Sequence, residues 1–133
     1  MARTVSWINM SELAVVAIGG ALGAVSRYLI GLLAVGRWGA MFPYGTMVAN
    51  FVGCFIIGLF MTLVLERLEI SPYWRLLVVT GFCGGLTTFS SFSYESLRLI
   101  QSGEFWLGGL NIGFNMVVGF GLTLLGMYVA TKL

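Results

Sequence analysis

Four long apolar stretches, separated by short segments rich in charge, glycine and proline, dominate the pattern of hydrophobic and polar positions along the chain. A helix that crosses a bilayer needs about 20 largely apolar residues. By that measure the predicted spans are residues 13–35, 45–65, 75–100 and 105–131. The pattern therefore predicts an all-α membrane protein in which four transmembrane helices form one multi-pass domain over residues 1–133.

The tryptophans support these boundaries, because their positions are not used to draw the spans. All four lie at or just outside a predicted end: Trp7, Trp38, Trp74 and Trp106. Tryptophan is enriched at membrane–water interfaces, where its ring has both an apolar body and a polar edge. The lipid bilayer is therefore the expected surrounding of this chain.

Composition excludes several function classes. Of the 133 residues, 59% are hydrophobic and only 9% are charged, whereas soluble domains carry about 25% charged residues. The net charge of +2 gives no indication of nucleic-acid binding. With no His and no Asp, the chain lacks the usual groups for acid–base catalysis and metal-assisted hydrolysis. Cys54 and Cys83 have no metal-ligand spacing and are expected to be small core residues. We therefore expect no enzyme.

Residues 81–96 differ most from a simple membrane anchor, because they combine glycines, hydroxyls and aromatic rings. Gly84 and Gly85, followed by two threonines, predict that the third helix is broken near residues 84–88. Such a break frees backbone carbonyls on one side and N–H groups on the other. Phe89 and Phe92 are three apart and share a face, either as core or as the lining of a path. Hydroxyls surround these rings at Thr88, Ser90, Ser91 and Ser93.

Polar side chains also lie inside the other spans. Arg27 is well within the first span, where it either snorkels to an interface or supplies a positive charge to a water-filled vestibule. Thr46 and Asn50 are four apart on one face of the second span, and Asn50 serves either helix packing or a pore wall. Asn111 and Asn115 begin a row of small or polar residues along the fourth span, which continues with Gly119 and Thr123.

Hydrogen-bond donors dominate this buried polar set, and no acidic residue lies at the middle of a span. Taking a small ion out of water costs on the order of tens of kcal/mol by Born estimates, so a pore wall must replace the lost hydration. Amide N–H groups, hydroxyls and the electropositive edges of phenyl rings suit an anion. The residues therefore favour passive movement of a small anion. Glu95 and Arg98, three apart near the end of the third span, are predicted to form a local ion pair.

Two other function classes fit less well. A small multidrug transporter needs a carboxylate in its first span, but Glu12 lies at the start of that span, where it complements the helix dipole. A purely structural membrane protein leaves the intramembrane Arg27 unexplained, since a charge at that depth opposes insertion.

Three motifs resemble the Fluc (CrcB) family of fluoride channels, and the resemblance covers essentially the whole chain. They are GGALGAVSRY around Arg27, GTMVANFVGCFIIG around Asn50 and, with the highest specificity, GGLTTFSSFSYE from Gly84 to Glu95. The resemblance implies an antiparallel dual-topology homodimer in the inner cell membrane. Each dimer would export fluoride passively through two pores.

The resemblance also implies roles for individual residues. The pore would be lined by Asn50, Phe89 and Phe92, with Thr46 and Glu95 towards one end and Arg27 in a vestibule. A structural Na⁺ would lie at the dimer centre, held by the backbone carbonyls of Gly84 and Thr87 from both subunits. Candidate donors that follow from the residues themselves complete the fluoride path: Thr88, Ser91, Asn111 and Asn115.

The fourth span departs from the family pattern. The family commonly has Tyr, Ser, and then Ser or Gly at four-residue intervals, whereas this chain has Asn111, Asn115 and Gly119. Donors are retained, but their chemistry changes, so ion contacts in this span are expected to differ from those of relatives.

Basic residues give only a weak indication of orientation. One side of the membrane would carry Arg3, Arg67, Arg75 and Lys132, and the other Arg37 and Arg98. Orientation in the membrane follows a clear excess of Lys and Arg on the cytoplasmic side. This count leaves open both a single orientation and insertion both ways up, as an antiparallel dimer requires.

Overall fold

The computed structural model describes residues 7–67 and 69–133, and within them every regular element is helical. Four helical stretches are long and apolar enough to cross a membrane: Met10–Trp38, Tyr44–Glu66, Pro72–Gln101 and Phe105–Lys132. They confirm the four predicted spans, with each end within about three residues of its predicted position, the usual uncertainty at helix ends. The chain is a multi-pass membrane protein.

The first, second and fourth spans are single helices, and the third is divided into two. The helices are α1 (Met10–Trp38), α2 (Tyr44–Glu66) and α5 (Phe105–Lys132). The first half of the third span, α3, comprises Pro72–Arg75, a π-helical stretch Leu76–Cys83 and a last turn Gly84–Leu86. Its second half, α4, is Phe89–Gln101.

The interruption of the third span confirms the predicted break, although the break is shorter than expected. Thr87 (φ −83°, ψ 153°) and Thr88 (φ −150°, ψ 122°) are extended between the two half-helices. Gly84 and Gly85 were expected to begin the break, but both are still helical. The two threonines alone separate α3 from α4.

Helix α1 has well-defined signals at both ends. The side chain of Asn9 accepts a hydrogen bond from the Ser11 N–H at 3.0 Å and caps the first turn. Glu12 lies in that turn, where the sequence placed it as a charge complementing the helix dipole. At the other end Gly39 takes a φ of 83°, a left-handed value that glycine adopts without strain.

Glycines allow α1 and α3 to approach closely. A Cβ on Gly19 would collide with the carbonyl oxygen of Leu77, and a Cβ on Gly23 would collide with that of Phe82. Close contact through small residues is the usual packing mode of membrane helices. The small residues of α1 therefore pack against the first half of the third span.

Helices α2 and α5 form the other close pair. A Cβ on Gly126 would collide with the Phe55 carbonyl oxygen, and a Cβ on Gly58 with the Thr123 carbonyl oxygen. A Cβ on Gly109 or Gly113 of the same helix would instead meet open space. That face of α5 has no partner within the described part of the chain.

Two hydrogen bonds fix which helix ends lie on the same side. The hydroxyls of Ser11 and Tyr73 are 2.8 Å apart, so α1 and α3 begin at one face. Arg67 donates to the Thr131 carbonyl at 2.8 Å, which places the end of α2 beside the end of α5. This up-down arrangement places Arg67, Arg75 and Lys132 on the same side of the membrane, as predicted from the sequence. Arg3, predicted on that side as well, lies outside the described residues.

Candidate functional site

The centre of the molecule is a clamp between Asn50 on α2 and the extended Thr88 at the break. The Thr88 N–H donates to Asn50 Oδ1 at 2.8 Å, and Asn50 Nδ2 donates to the Thr88 carbonyl at 3.3 Å. The carboxamide therefore pairs with both polar groups of one residue, much as a neighbouring β-strand would. A buried break needs such partners, because its backbone groups have left the helical ladder.

Side-chain hydroxyls close the two helix ends that face the break. Thr88 Oγ1 accepts from the Ser91 N–H at 3.1 Å and is the N-cap of α4. Thr87 Oγ1 donates to the Cys83 carbonyl at 2.8 Å at the end of α3. The two threonines thus supply both the extended backbone and the hydroxyls that cap the helix ends beside it.

Several carbonyls at the break lose the helical N–H groups that would ordinarily bond to them. The Thr88 N–H donates to Asn50 Oδ1 rather than to the Gly84 carbonyl, and the Ser91 N–H donates to Thr88 Oγ1 rather than to the Thr87 carbonyl. The Gly85 carbonyl accepts from Arg27 Nε at 3.2 Å. Arg27 thus has a partner inside the protein, although its predicted role in a vestibule stays a prediction.

The carbonyls of Gly84 and Thr87 fit the predicted Na⁺ site in their chemistry. Unwound backbone carbonyls at a broken membrane helix are the groups that bind Na⁺ in several transporter folds. Gly84 is exposed and Thr87 is half-buried, so neither is sealed inside the subunit.

The two phenylalanines lie at the start of α4, beside a cavity of about 360 Å³. Their ring centroids are 5.7 Å apart, with the planes inclined at 59°. Phe92 is 8% exposed, whereas Phe89 is 76% exposed. The cavity lining combines these rings with polar and small residues, among them Asn50, Cys54, Cys83, Thr87, Thr88 and Asn115. One ring is therefore set in the subunit and the other projects from it.

The fourth-span amides lie directly behind Asn50. Asn50 Nδ2 also donates to Asn115 Oδ1 at 3.1 Å. Asn115 Nδ2 donates to the carbonyl and to Oδ1 of Asn111, at 2.8 and 3.0 Å. Asn111 and Asn115 of the predicted row are thus joined by hydrogen bonds, and direct contact of either with an ion stays a prediction.

Ser96 is part of this network, and the sequence did not single it out. It is 3% exposed, accepts from Asn111 Nδ2 at 2.9 Å and donates to the Phe92 carbonyl at 2.7 Å. A serine one helical turn after Phe92 was the available signal. Only the packing of α4 on α5 shows that it faces Asn111.

Thr46 and Glu95 meet beside a second cavity, of about 420 Å³. Thr46 Oγ1 donates to Glu95 Oε1 at 2.9 Å, while Glu95 Oε2 has no hydrogen-bond partner among the described residues. The local ion pair predicted between Glu95 and Arg98 is wrong. The carboxylate turns towards α2, and Arg98 is exposed.

Comparison with known proteins agrees with this architecture. A family model described as CrcB-like protein, Camphor Resistance (CrcB), matches residues 14–127. A relative from Solibacter usitatus is 47% identical over 117 residues, covering 88% of this chain and 96% of its own length. One from Pyrococcus horikoshii is 43% identical over 126 residues, covering 94% and 100%. A relative from a Sulfurihydrogenibium species is 42% identical over 124 residues, covering 93% and 100%. All three are named "Fluoride-specific ion channel FluC".

Proposed function

The chain belongs to the CrcB family, and from this membership and the geometry of its broken third span we propose that it is a fluoride-selective channel. The relatives described above are named as ion channels, a class of protein that is not enzymatic. In this proposal fluoride crosses the inner cell membrane passively, down its own gradient. No nucleotide-binding loop and no mid-span carboxylate is present in the sequence to couple transport to another energy source.

The observation that carries the proposal is the meeting of Phe89, Phe92 and the Asn50–Thr88 clamp at one cavity. A fluoride ion that leaves water needs substitute donors along most of its route, because the desolvation of a small anion is large. Ring edges carry the positive side of the aromatic quadrupole. Hydroxyls supply conventional donors on the same wall, while the Asn50 carboxamide, whose Nδ2 is bonded to the Thr88 carbonyl and to Asn115 Oδ1, forms part of the lining.

The proposed path follows this wall from one end to the other. Thr46 and Glu95 lie towards one pore end, beside the larger cavity. The middle contains Asn50, Thr88, Phe92, Phe89 and the hydroxyl of Ser91, with Asn111 and Asn115 behind Asn50. We propose that Arg27, tied to the Gly85 carbonyl, lends positive potential to the approach.

We further propose an antiparallel dual-topology homodimer with two pores. Phe89 supports this assembly, because a 76% exposed ring completes a pore wall only if a second subunit covers it. The weak bias of basic residues, four on one side and two on the other, allows insertion both ways up.

A structural Na⁺ belongs to the same proposal. The Gly84 and Thr87 carbonyls of both subunits would hold it, where its charge would neutralise carbonyl oxygens that the break leaves without helical donors. The ion would stabilise the junction of the two subunits and take no part in moving fluoride.

Efflux from liposomes tests the function. Vesicles that contain the purified protein and fluoride should release fluoride to an electrode when a potassium ionophore balances the charge. Vesicles loaded with chloride should retain it, and protein-free vesicles give the background. Equal release of both anions would reject a selective pore.

Exposure of both faces tests dual topology. With Cys54 and Cys83 replaced, a Ser102→Cys variant in intact cells should react with an impermeant maleimide to about half, and fully after permeabilisation. Complete reaction or none in intact cells would indicate a single orientation.

A further inference from the structure

A single chain of hydrogen bonds links three helices and includes residues of the proposed pore wall. Beginning at a backbone N–H and ending at a backbone carbonyl, it passes through Thr88, Asn50, Asn115, Asn111, Ser96 and Phe92. Each donor–acceptor distance lies between 2.7 and 3.1 Å. We call this chain the amide relay.

The direction of the amide relay follows from chemistry at its two ends. The Thr88 N–H can only donate, so the Asn50 atom that faces it is Oδ1, and the Asn50 NH₂ group must face Asn115. The Phe92 carbonyl can only accept, so the Ser96 hydroxyl donates to it and accepts from the Asn111 NH₂. Both ends therefore impose the same orientation on all three carboxamides.

Because of this direction, the N–H groups of Asn111 and Asn115 are mostly bonded within the protein and are not free to bind an ion. Both N–H groups of Asn115 are engaged, one by the carbonyl and one by Oδ1 of Asn111. Asn111 is 1% exposed, so its remaining N–H does not reach the cavity. An ion that bound Asn115 would have to break a bond inside the protein, which cancels most of the gain.

We propose that Asn111 and Asn115 are positioning residues that hold Asn50 and the ring-bearing start of α4, and that neither contacts the ion. This deepens the fluoride-channel proposal and rests on it for the transport readout. The amide relay starts at Thr88, the N-cap of α4, crosses α2 and α5, and re-enters α4 at Ser96, which bonds back to the Phe92 carbonyl. It therefore holds the start of α4, which carries both rings, through one bond to α2 and one to α5.

The transport arm uses Asn111→Leu, Asn115→Leu and the double variant, since leucine is close to asparagine in size and shape. Each single change breaks the same relay, and we expect fluoride efflux to fall about tenfold, the effect of losing roughly one buried hydrogen bond. The double variant should also fall only about tenfold, because a chain broken once loses little more when broken twice. Thr123→Val is the matched control, as that hydroxyl on the same row donates to the Gly119 carbonyl of its own helix.

A second arm needs no transport. The chain has four asparagines, so asparagine-selective ¹⁵N labelling gives four side-chain NH₂ signals in an NMR spectrum. Asn111 and Asn50 share no hydrogen bond and are joined only through Asn115. We expect Asn111→Leu to shift the Asn50 signal in the absence of fluoride, and Thr123→Val to leave it in place.

The transport and NMR experiments together distinguish a failure of the positioning role from a failure of the channel proposal. An unmoved Asn50 signal in Asn111→Leu, or a drop of about a hundredfold in the double variant as independent contacts would multiply, overturns the positioning role. If the wild-type protein releases no fluoride but the Asn50 signal moves, the relay is supported and the channel proposal fails. If a leucine variant does not fold, the alanine variants at the same positions replace it, with the same expectations.

Discussion

Replacement of Ser96 by alanine is a small change that should show how much the buried polar network contributes to the free energy of unfolding. The substitution removes one oxygen at a site that is 3% exposed, so it leaves no cavity large enough to matter. The Phe92 carbonyl loses the serine hydroxyl at 2.7 Å, but it lies within α4 and keeps its place in the helical ladder. The group left without a partner is the Asn111 NH₂, which donated to Ser96 at 2.9 Å.

The magnitude follows from that one orphaned donor. A buried polar group without a partner costs about 1–3 kcal/mol. Interhelical hydrogen bonds within membranes average about 0.6 kcal/mol, because the unfolded chain in lipid also finds partners. Asn111 is 1% exposed and has no route to water, so we expect a loss of about 1–2 kcal/mol in the free energy of unfolding.

Unfolding by SDS titration in mixed micelles, followed by tryptophan fluorescence, measures this quantity. Ser102→Ala is the matched control, since Ser102 is exposed and donates to the Leu99 carbonyl of its own turn. The control should change the free energy of unfolding by less than about 0.5 kcal/mol. Equal effects of the two variants would refute the reasoning, because they would mean that the bond between α4 and α5 contributes nothing of its own.

Other outcomes follow from the site and from helix packing. Phe89→Ile and Phe92→Ile remove the ring edges and should each suppress fluoride efflux in the liposome assay, while gel filtration shows an unchanged assembly; unchanged efflux would assign the rings to packing. Replacement of Na⁺ by N-methylglucamine on both sides should inactivate the protein if the ion is structural, and full activity without Na⁺ would reject that site. Gly23→Ala should destabilise the fold by about 1–3 kcal/mol through its collision with the Phe82 carbonyl. Gly121→Ala, which meets open space, should not, and equal melting temperatures for the two would contradict the packing described.

Hydropathy was sufficient to locate the spans, because a bilayer imposes a minimum length of apolar chain whatever the tertiary structure. The break near Gly84 was also predictable, since glycines followed by β-branched threonines make a weak helix. The restriction of the break to Thr87 and Thr88 was not predictable, because it depends on Asn50 reaching Thr88 from another helix. The π-helical stretch Leu76–Cys83 was not predictable either, because its residues are as apolar as those of an ordinary transmembrane α-helix.

Side-chain partners were the least predictable part of the site. Four-residue spacing placed Asn111 and Asn115 in one row, and the structure adds a hydrogen bond between them that spacing alone did not predict. The same kind of spacing argument failed for Glu95, which bonds Thr46 rather than Arg98. A charge near a helix end can turn to a neighbouring helix, and sequence spacing along one helix contains no information about that neighbour.

The closed course of the amide relay limits how the proposed channel can gate. Because the relay bonds α4 to α2 at its N-cap Thr88 and to α5 at Ser96, the start of α4 cannot swing outward unless bonds to both of these helices break. Rotation of the exposed Phe89 ring about its side-chain torsions, in contrast, breaks none of these bonds. Gating by that ring would then need no slow, cooperative movement of a helix.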